Sequence, residues 1–260
     1  MDKVISRDGT IIAYERPGAG PPVILVVGAL NDRSTGAPLA ALLATRFTVF
    51  TYDRRGRGDS GDTAPYAVDR EIEDLDALVR EAGGSAYVFG YSSGAILALA
   101  AAARGLAIEK LALYEPPFMV TEDRPRPSAG TTARLAALVG AGRREEAAAF
   151  FQTEVVGIPA TVVAKWRRAP SWPALAGMAH TLVYELAIVG DRSLPASLAA
   201  VTAPTLVLAG ERSPAELRLA ARAVAEALPR ARHQCLADQS HDIVAPAVAP
   251  VLADFLLADA

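Results

Sequence analysis

The sequence predicts an α/β protein with a doubly wound, mostly parallel sheet and one helical insertion. Three observations support this fold class. The chain has 260 residues, of which 52% are hydrophobic and 21% charged, a size and composition suited to one domain with a large core. Apolar segments typical of buried strands alternate with helical patterns along most of the chain. Between residues 120 and 194 this alternation stops, and only helical patterns remain.

The strands are predicted from short apolar runs that end at glycine, proline or polar residues. Residues 10–15 alternate apolar and polar side chains, which is typical of an exposed antiparallel strand. Residues 22–27 are continuously apolar, as expected of a parallel strand that is covered on both faces. Further buried strands are predicted at 47–52, 86–89, 110–114, 205–208 and 232–236.

Helices fill most of the gaps between these strands. Residues 67–81 begin with acidic side chains and carry an apolar stripe at helical spacing, whereas residues 95–103 are apolar on all sides. Pro214 suits the first turn of a helix over 214–228, and a last helix follows residue 242. This order of strands and helices predicts the doubly wound sheet.

The helical insertion is predicted from patterns at 131–139, 144–151, 160–168 and 172–186. Pro116 and Pro117 lead into it, and Pro195 and Pro204 lie near its exit. We therefore expect residues 1–119 and 195–260 to form the α/β core and residues 120–194 to form the insertion.

Charge and cysteine content restrict the classes of function. A net charge of −3 predicts no wide basic surface, so a nucleic-acid partner is not expected. The single cysteine, Cys235, can form neither an internal disulfide nor a thiolate metal site. Charges scattered over the N-terminus, and the lack of an apolar run of about 18 residues, predict a cytoplasmic protein with no membrane partner. A monomer or homodimer is expected.

The chemistry centres on the sequence Gly90-Tyr91-Ser92-Ser93-Gly94, which lies between an apolar strand and a small-residue helix. A serine on so tight a turn needs small neighbours two residues away, and Gly90 and Gly94 meet this need for Ser92 but not for Ser93. The helix N-terminus adds free N–H groups that face developing negative charge. A chance glycine–serine turn would not account for the strand before this sequence and the helix after it. Ser92 is therefore the predicted nucleophile, and the Ser93 hydroxyl is expected to cap the helix.

This arrangement resembles the nucleophile elbow of the α/β-hydrolase superfamily, and the resemblance extends over nearly the whole chain. Residues 52–60, YDRRGRGDS, are similar to the DxRGxGxS loop of that family, whose charges usually brace the loops near the active site. The resemblance implies the α/β-hydrolase fold. It also implies that the insertion is a helical lid that shapes the substrate pocket.

His241 stands between an apolar stretch and the last helix, which is the family's position for the general base. A serine hydroxyl needs such a base because its own pKa is far above neutrality. The other two histidines are weaker candidates, since His180 lies in the insertion and His233 at the start of a strand. The order serine before histidine also agrees with the family.

The third member of the triad departs from the family pattern, because Ser213 occupies the usual aspartate position. A serine cannot stabilise an imidazolium by charge. Three alternatives remain open: Glu115, which follows the preceding strand at the position that some family members use; Glu211; or no acid at all. We favour Glu115.

The resemblance also implies an oxyanion hole formed by the backbone N–H groups of Ala29 and Ser93. Val27 replaces the histidine that usually begins this loop, which affects the loop geometry more than the chemistry. Gly28 is retained where the backbone must turn sharply.

We therefore expect a serine hydrolase, similar to carboxylic-ester hydrolases, that cleaves an ester or lactone of a small molecule and needs no metal or organic cofactor. Trp166 and Trp172 in the insertion favour an apolar substrate, although such residues commonly pack against one another. Two other classes stay open. One is a biosynthetic enzyme of the same fold that catalyses cyclisation or acyl transfer, and the other is a ligand-binding protein without catalysis.

Overall fold

A computed structural model describes residues 1–121 and 128–258. Within these described residues, eight strands form one sheet in the order β1-β2-β4-β3-β5-β6-β7-β8. The first two strands pair antiparallel and the other six run parallel, which confirms the predicted doubly wound, mostly parallel sheet. The strands are β1 (Asp2–Ile5), β2 (Ile11–Glu15), β3 (Pro22–Val26), β4 (Thr48–Tyr52), β5 (Ala86–Tyr91), β6 (Ile108–Tyr114), β7 (Thr205–Gly210) and β8 (Ala231–Leu236).

Helices cover both faces of the sheet. The helices are α1 (Arg33–Leu43), α2 (Val68–Glu81), α3 (Ser93–Ala103), α4 (Ala129–Gly140), α5 (Arg144–Phe150), α6 (Ala160–Trp166), α7 (Trp172–Gly177), α8 (Leu182–Val189), α9 (Ala215–Ala227) and α10 (Ala245–Leu257). One buried cluster joins the sheet to α2, α3 and α9, and a second joins its other face to α1 and α10. In the described ranges no helix combines the length and the apolar character that crossing a membrane would need.

The sequence analysis does not predict strand β1 and helix α1. β1 is a short edge strand with mostly exposed residues, so its apolar pattern is weak. Helix α1 contains Gly36 and Pro38, residues that normally interrupt a helix and so hide its pattern. It is nevertheless capped, because the Asp32 carboxylate accepts a hydrogen bond from the Ser34 N–H at 2.9 Å.

Between β6 and β7, the described residues hold helices α4 to α8 and no strand. We call these five helices the helical insertion. The predicted helix over 172–186 is divided into α7, a 3₁₀ turn (Ala179–Thr181) and α8, and residues 122–127 of the predicted insertion lie outside the described part. The insertion has its own apolar cluster, which includes Leu30 from the loop after β3. It therefore packs against that loop.

Candidate active site

The turn between β5 and α3 holds Ser92 in a conformation that non-glycine residues seldom adopt, with φ 54° and ψ −127°. A side chain at Gly90 would place its Cβ 2.6 Å from Ala95 Cα, and one at Gly94 would place it 2.2 Å from the Val26 carbonyl oxygen. The two glycines are thus required by close backbone contacts. Strain at a single serine on such a turn is typical of a nucleophile elbow.

Glu115 and His241 form the second part of the site. Glu115 directly follows β6 and is completely buried, and its Oε2 lies 2.5 Å from His241 Nδ1. Its other oxygen, Oε1, accepts a hydrogen bond from the Gly210 N–H at 2.7 Å. The Tyr114 hydroxyl donates to the Ser240 carbonyl at 2.6 Å and so ties the end of β6 to the loop that carries the histidine. The carboxylate is therefore fixed from two neighbouring strand ends.

The serine and the histidine lie at the same edge of the sheet. The ring of Tyr91, the residue before Ser92, has its centroid 5.1 Å from that of the His241 ring. Across residues 1–121 and 128–258 no hydrogen bond joins Ser92 Oγ to His241. Such bonds are often long without substrate and tighten in the Michaelis complex.

The other candidates for the acid lie elsewhere. Glu211 Oε2 accepts a hydrogen bond from the Asp238 N–H at 3.2 Å, and Asp238 pairs with Arg212. Ser213 is buried and carries no charge. Of the three alternatives left open by the sequence, the geometry favours Glu115.

The loop of residues 27–31, which we call the β3 loop, lies beside the serine. An added Cβ at Gly28 would be only 2.9 Å from Ser92 Cβ, so the loop backbone approaches the nucleophile closely. The Ala29 carbonyl accepts a hydrogen bond from Asn31 Nδ2 at 2.7 Å. Ser93 is the first residue of α3, where its N–H has no partner within the helix. Gly28, the neighbour of the predicted donor Ala29, and the predicted donor Ser93 thus both lie next to Ser92.

One detail of the prediction is wrong. The Ser93 hydroxyl was expected to cap the helix, but it is buried with no hydrogen-bond partner among the described residues. Because the turn leads directly into α3, the helix begins at Ser93 itself and leaves its side chain no cap position.

Buried ion pairs lie beneath the β3 loop. Arg54 binds the Glu71 carboxylate with two hydrogen bonds, at 2.7 and 2.8 Å, and lies 2.8 Å from Glu185. Arg57 also pairs with Glu185. Burial would raise the pKa of Glu71, but the Arg54 charge outweighs it and holds that pKa below its ordinary value. Burial, and then the neighbouring Arg54 charge, lower the pKa of Arg57. These contacts agree with the bracing role that the resemblance implied.

Glu185 was not among the predicted site residues. It is the one charged residue of α8, LVYELAIV, and is fully buried there. Buried carboxylates are almost always paired, so a lone acid within an apolar helix is the signal that could have identified it. The sequence gives no direct indication of which arginines it meets.

The remaining histidines have other surroundings. His233 lies on β8, its Nε2 is buried without a hydrogen-bond partner in the described part of the chain, and burial lowers its pKa. His180 Nδ1 lies 3.3 Å from the Gly177 carbonyl oxygen, and its Nε2 lies 3.8 Å from Asp62. His241 is the histidine that the structure brings to a buried carboxylate.

Comparison with known proteins agrees with this architecture. Residues 23–248 match the model of the alpha/beta hydrolase family, so the chain belongs to that family and is a hydrolase. A crystal structure of an alpha/beta hydrolase from Sphaerobacter thermophilus is 52% identical, with a TM-score of 0.94 over 98% of this chain and 100% of that one. A hydrolase from Pseudomonas aeruginosa is 26% identical, with a TM-score of 0.79 over 99% and 98% of the two chains.

Two further relatives are more distant or more partial. The enol-lactonase from Burkholderia xenovorans is 25% identical, with a TM-score of 0.72 over 99% of this chain and all of that one. The uncharacterized hydrolase YraK of Bacillus subtilis is 38% identical over 95 residues. That match spans about a third of each protein, 35% of this chain and 35% of its relative.

Proposed function

We propose that this hydrolase cleaves an ester or lactone of a small, apolar molecule through an acyl-enzyme on Ser92. The observation that carries the proposal is the 2.5 Å contact between Glu115 and His241, at the sheet edge where the strained turn presents Ser92. A buried carboxylate on Nδ1 fixes the imidazole so that Nε2 is the nitrogen left to accept the serine proton. The contact argues against the alternative of a binding protein that has lost its acid.

The reaction proceeds in two halves. His241 accepts the Ser92 proton while Ser92 Oγ attacks the substrate carbonyl, and the N–H groups of Ala29 and Ser93 stabilise the oxyanion. When the tetrahedral intermediate collapses, the imidazolium protonates the leaving alcohol. Water, activated by His241, then attacks the acyl-enzyme and releases the acid. The Glu115 carboxylate stabilises the imidazolium.

The helical insertion acts in this proposal as the lid over the substrate pocket. Its apolar cluster contains Trp172 and Leu182 and includes Leu30 of the β3 loop, next to the proposed oxyanion donor Ala29. An apolar acyl or alcohol group is the chemistry that this lid favours, because apolar side chains predominate in its helices. The 25% identity to an enol-lactonase supports lactones among the candidates. We further propose that a monomer or homodimer acts in the cytoplasm on this small molecule alone.

Labelling of the active site tests the proposal. Wild-type protein is treated with a fluorophosphonate and assayed on nitrophenyl esters and lactones of increasing chain length. Ser92→Ala serves as the control, and circular dichroism verifies its fold. We expect labelling and turnover in the wild type and neither in the variant. A folded wild type that is neither labelled nor active would instead indicate a ligand-binding protein.

A further inference from the structure

Two buried arginines are directed at the backbone of the β3 loop. Arg57 Nη1 donates hydrogen bonds to the carbonyl oxygens of Gly28, at 2.6 Å, and Asn31, at 3.0 Å. Arg54 Nη1 donates to the carbonyl oxygen of Val27 at 3.3 Å. Hydrogen bonds from a charged donor are about twice as strong as neutral ones. The two arginines therefore hold the β3 loop through its carbonyl groups.

The bond to Gly28 fixes more than one carbonyl. The Gly28 C=O and the Ala29 N–H belong to the same planar peptide group, which is trans, so they point in opposite directions. When Arg57 holds the carbonyl, it also makes the Ala29 N–H point away from the arginine. Ala29 N–H is the proposed oxyanion donor, and its direction is decisive because such donors act only when aimed at the developing charge.

The charge that holds Arg57 comes from the helical insertion. Glu185 on α8 is the one carboxylate within hydrogen-bonding distance of Arg57 among residues 1–121 and 128–258, and both side chains are about 1% exposed. The second acid of the cluster, Glu71 on α2, binds Arg54 instead. Removal of the carboxylate would leave the guanidinium buried without a counter-charge, which is strongly unfavourable. The seating of α8 and the position of Arg57 thus depend on each other.

We propose that Glu185 is a positioning residue that couples the helical insertion to the oxyanion hole: through Arg57 and the Gly28 carbonyl it sets the direction of the Ala29 N–H. This inference rests on the proposed function of Ser92 and the β3 loop. If the proposal holds, both donors of the oxyanion hole point at the substrate oxygen only when α8 is packed against the core. The insertion then contributes to the chemical step as well as to the shape of the pocket.

The test compares Glu185→Gln with Asp74→Asn. Asp74 on α2 binds Arg55, which lies in the same 52–60 sequence as Arg57, at 2.7 and 2.8 Å in an equally buried pair. Arg55 makes no hydrogen bond to the β3 loop among the described residues. Both variants remove a buried carboxylate charge, so both are expected to lower the melting temperature. Only Glu185→Gln is expected to lower kcat, by about 10- to 100-fold, because misaiming one donor removes part of its effect. KM should change little.

A second readout separates positioning from general loosening. A trifluoromethyl ketone forms a tetrahedral adduct whose oxygen occupies the oxyanion hole, whereas a product alcohol binds without it. Glu185→Gln should weaken binding of the ketone by about the same factor by which it lowers kcat, and it should leave binding of the alcohol unchanged. Equal weakening of both ligands, or unchanged binding of both, would overturn the coupling.

A double variant covers the case in which Glu185→Gln does not fold. Arg57→Met with Glu185→Leu replaces the ion pair by apolar side chains, a change that buried pairs often tolerate. We expect this protein to fold and to show the same reduced kcat, and wild-type kcat would overturn the coupling while leaving the hydrolase intact. A wild type that is not labelled by fluorophosphonate would instead refute the proposed function, and the coupling with it.

Discussion

Glu115 and His241 are 126 residues apart in the chain, yet Glu115 Oε2 lies 2.5 Å from His241 Nδ1. The glutamate is fully buried, while the histidine side chain is 34% exposed. One partner is thus anchored in the protein interior and the other can reach substrate. This pair connects the last residues of two parallel strands, β6 and β7, to the loop that carries the proposed base.

Replacing the acid should impair catalysis without unfolding the protein. Glu115→Gln keeps an oxygen that can accept the Gly210 N–H, but its neutral amide cannot stabilise the imidazolium. We expect kcat to fall by about 10³- to 10⁴-fold, as in other triads that lose the acid charge, with little change in KM. Steady-state kinetics on a nitrophenyl ester measure this. Glu211→Gln is the control and should retain wild-type rates. Full activity in both variants would exclude a catalytic acid at either position.

A methyl group at Gly28 should displace the β3 loop. The added Cβ would lie 2.9 Å from Ser92 Cβ and 3.2 Å from the Tyr91 carbonyl oxygen, and neither the first side-chain carbon of a strained residue nor a backbone oxygen can yield easily. We expect Gly28→Ala to lower kcat by about 10²-fold, the cost of losing one oxyanion donor. Gly140→Ala is the matched control, because a Cβ there meets no atom within 4 Å. Equal rates for the two variants would show that the loop position does not limit turnover.

The ion pair between Glu71 and Arg54 should make stability depend on pH. The folded-state pKa of Glu71 lies below the unfolded value of about 4.3. Its contribution is therefore complete at neutral pH and is lost as the pH falls through the folded-state pKa. Glu71→Gln should destabilise the protein by about 3 kcal/mol at neutral pH, and the difference from wild type should shrink in acid.

Urea unfolding at several pH values measures this difference. Asp69→Asn is a suitable control on the same helix, because Asp69 is exposed and pairs with Arg104 at the surface. Surface pairs contribute only about 0–1 kcal/mol. A difference between Glu71→Gln and wild type that stays constant with pH would contradict the assignment.

Lys110 should stabilise the end of α10. Its buried ammonium donates hydrogen bonds to the carbonyl oxygens of Phe255, at 3.2 Å, and Leu256, at 3.1 Å, and to that of Ala258. These carbonyls have no partner within the helix. Lys110→Met should therefore lower the free energy of unfolding by about 1–3 kcal/mol. Lys165→Met, at an exposed position, should change it by about 0.5 kcal/mol at most, and an equal effect of both would argue against the cap.

The sequence predicts the sheet and the serine because both depend on local patterns. Ser92 is identified by glycines two residues away on each side, and the structure shows the close contacts that require them. Helix α1 is missed because Gly36 and Pro38 oppose its local pattern, and packing on β4 outweighs them. Such overrides by tertiary contacts are invisible in a local window.

The acid and the ion pairs could not be assigned in the same way. Glu115 and Glu211 both follow a parallel strand that ends near the histidine loop, so position along the chain does not separate them. Only the side-chain directions decide, and they depend on the left-handed backbone at Glu115, with φ 49°. Glu185 meets two arginines more than a hundred residues away, and no periodicity encodes such a contact.

The hydrogen bond from the Gly210 N–H to Glu115 has a consequence for how this enzyme can vary. The end of β7 binds a carboxylate that the residue after the neighbouring strand, β6, supplies. Because this contact uses the main chain of Gly210, it needs no charged side chain in residues 211–214. The Glu211 and Arg212 N–H groups bond to the carbonyl oxygens of Leu236 and Gln239, so substitutions here that keep this backbone should leave Glu115 in place.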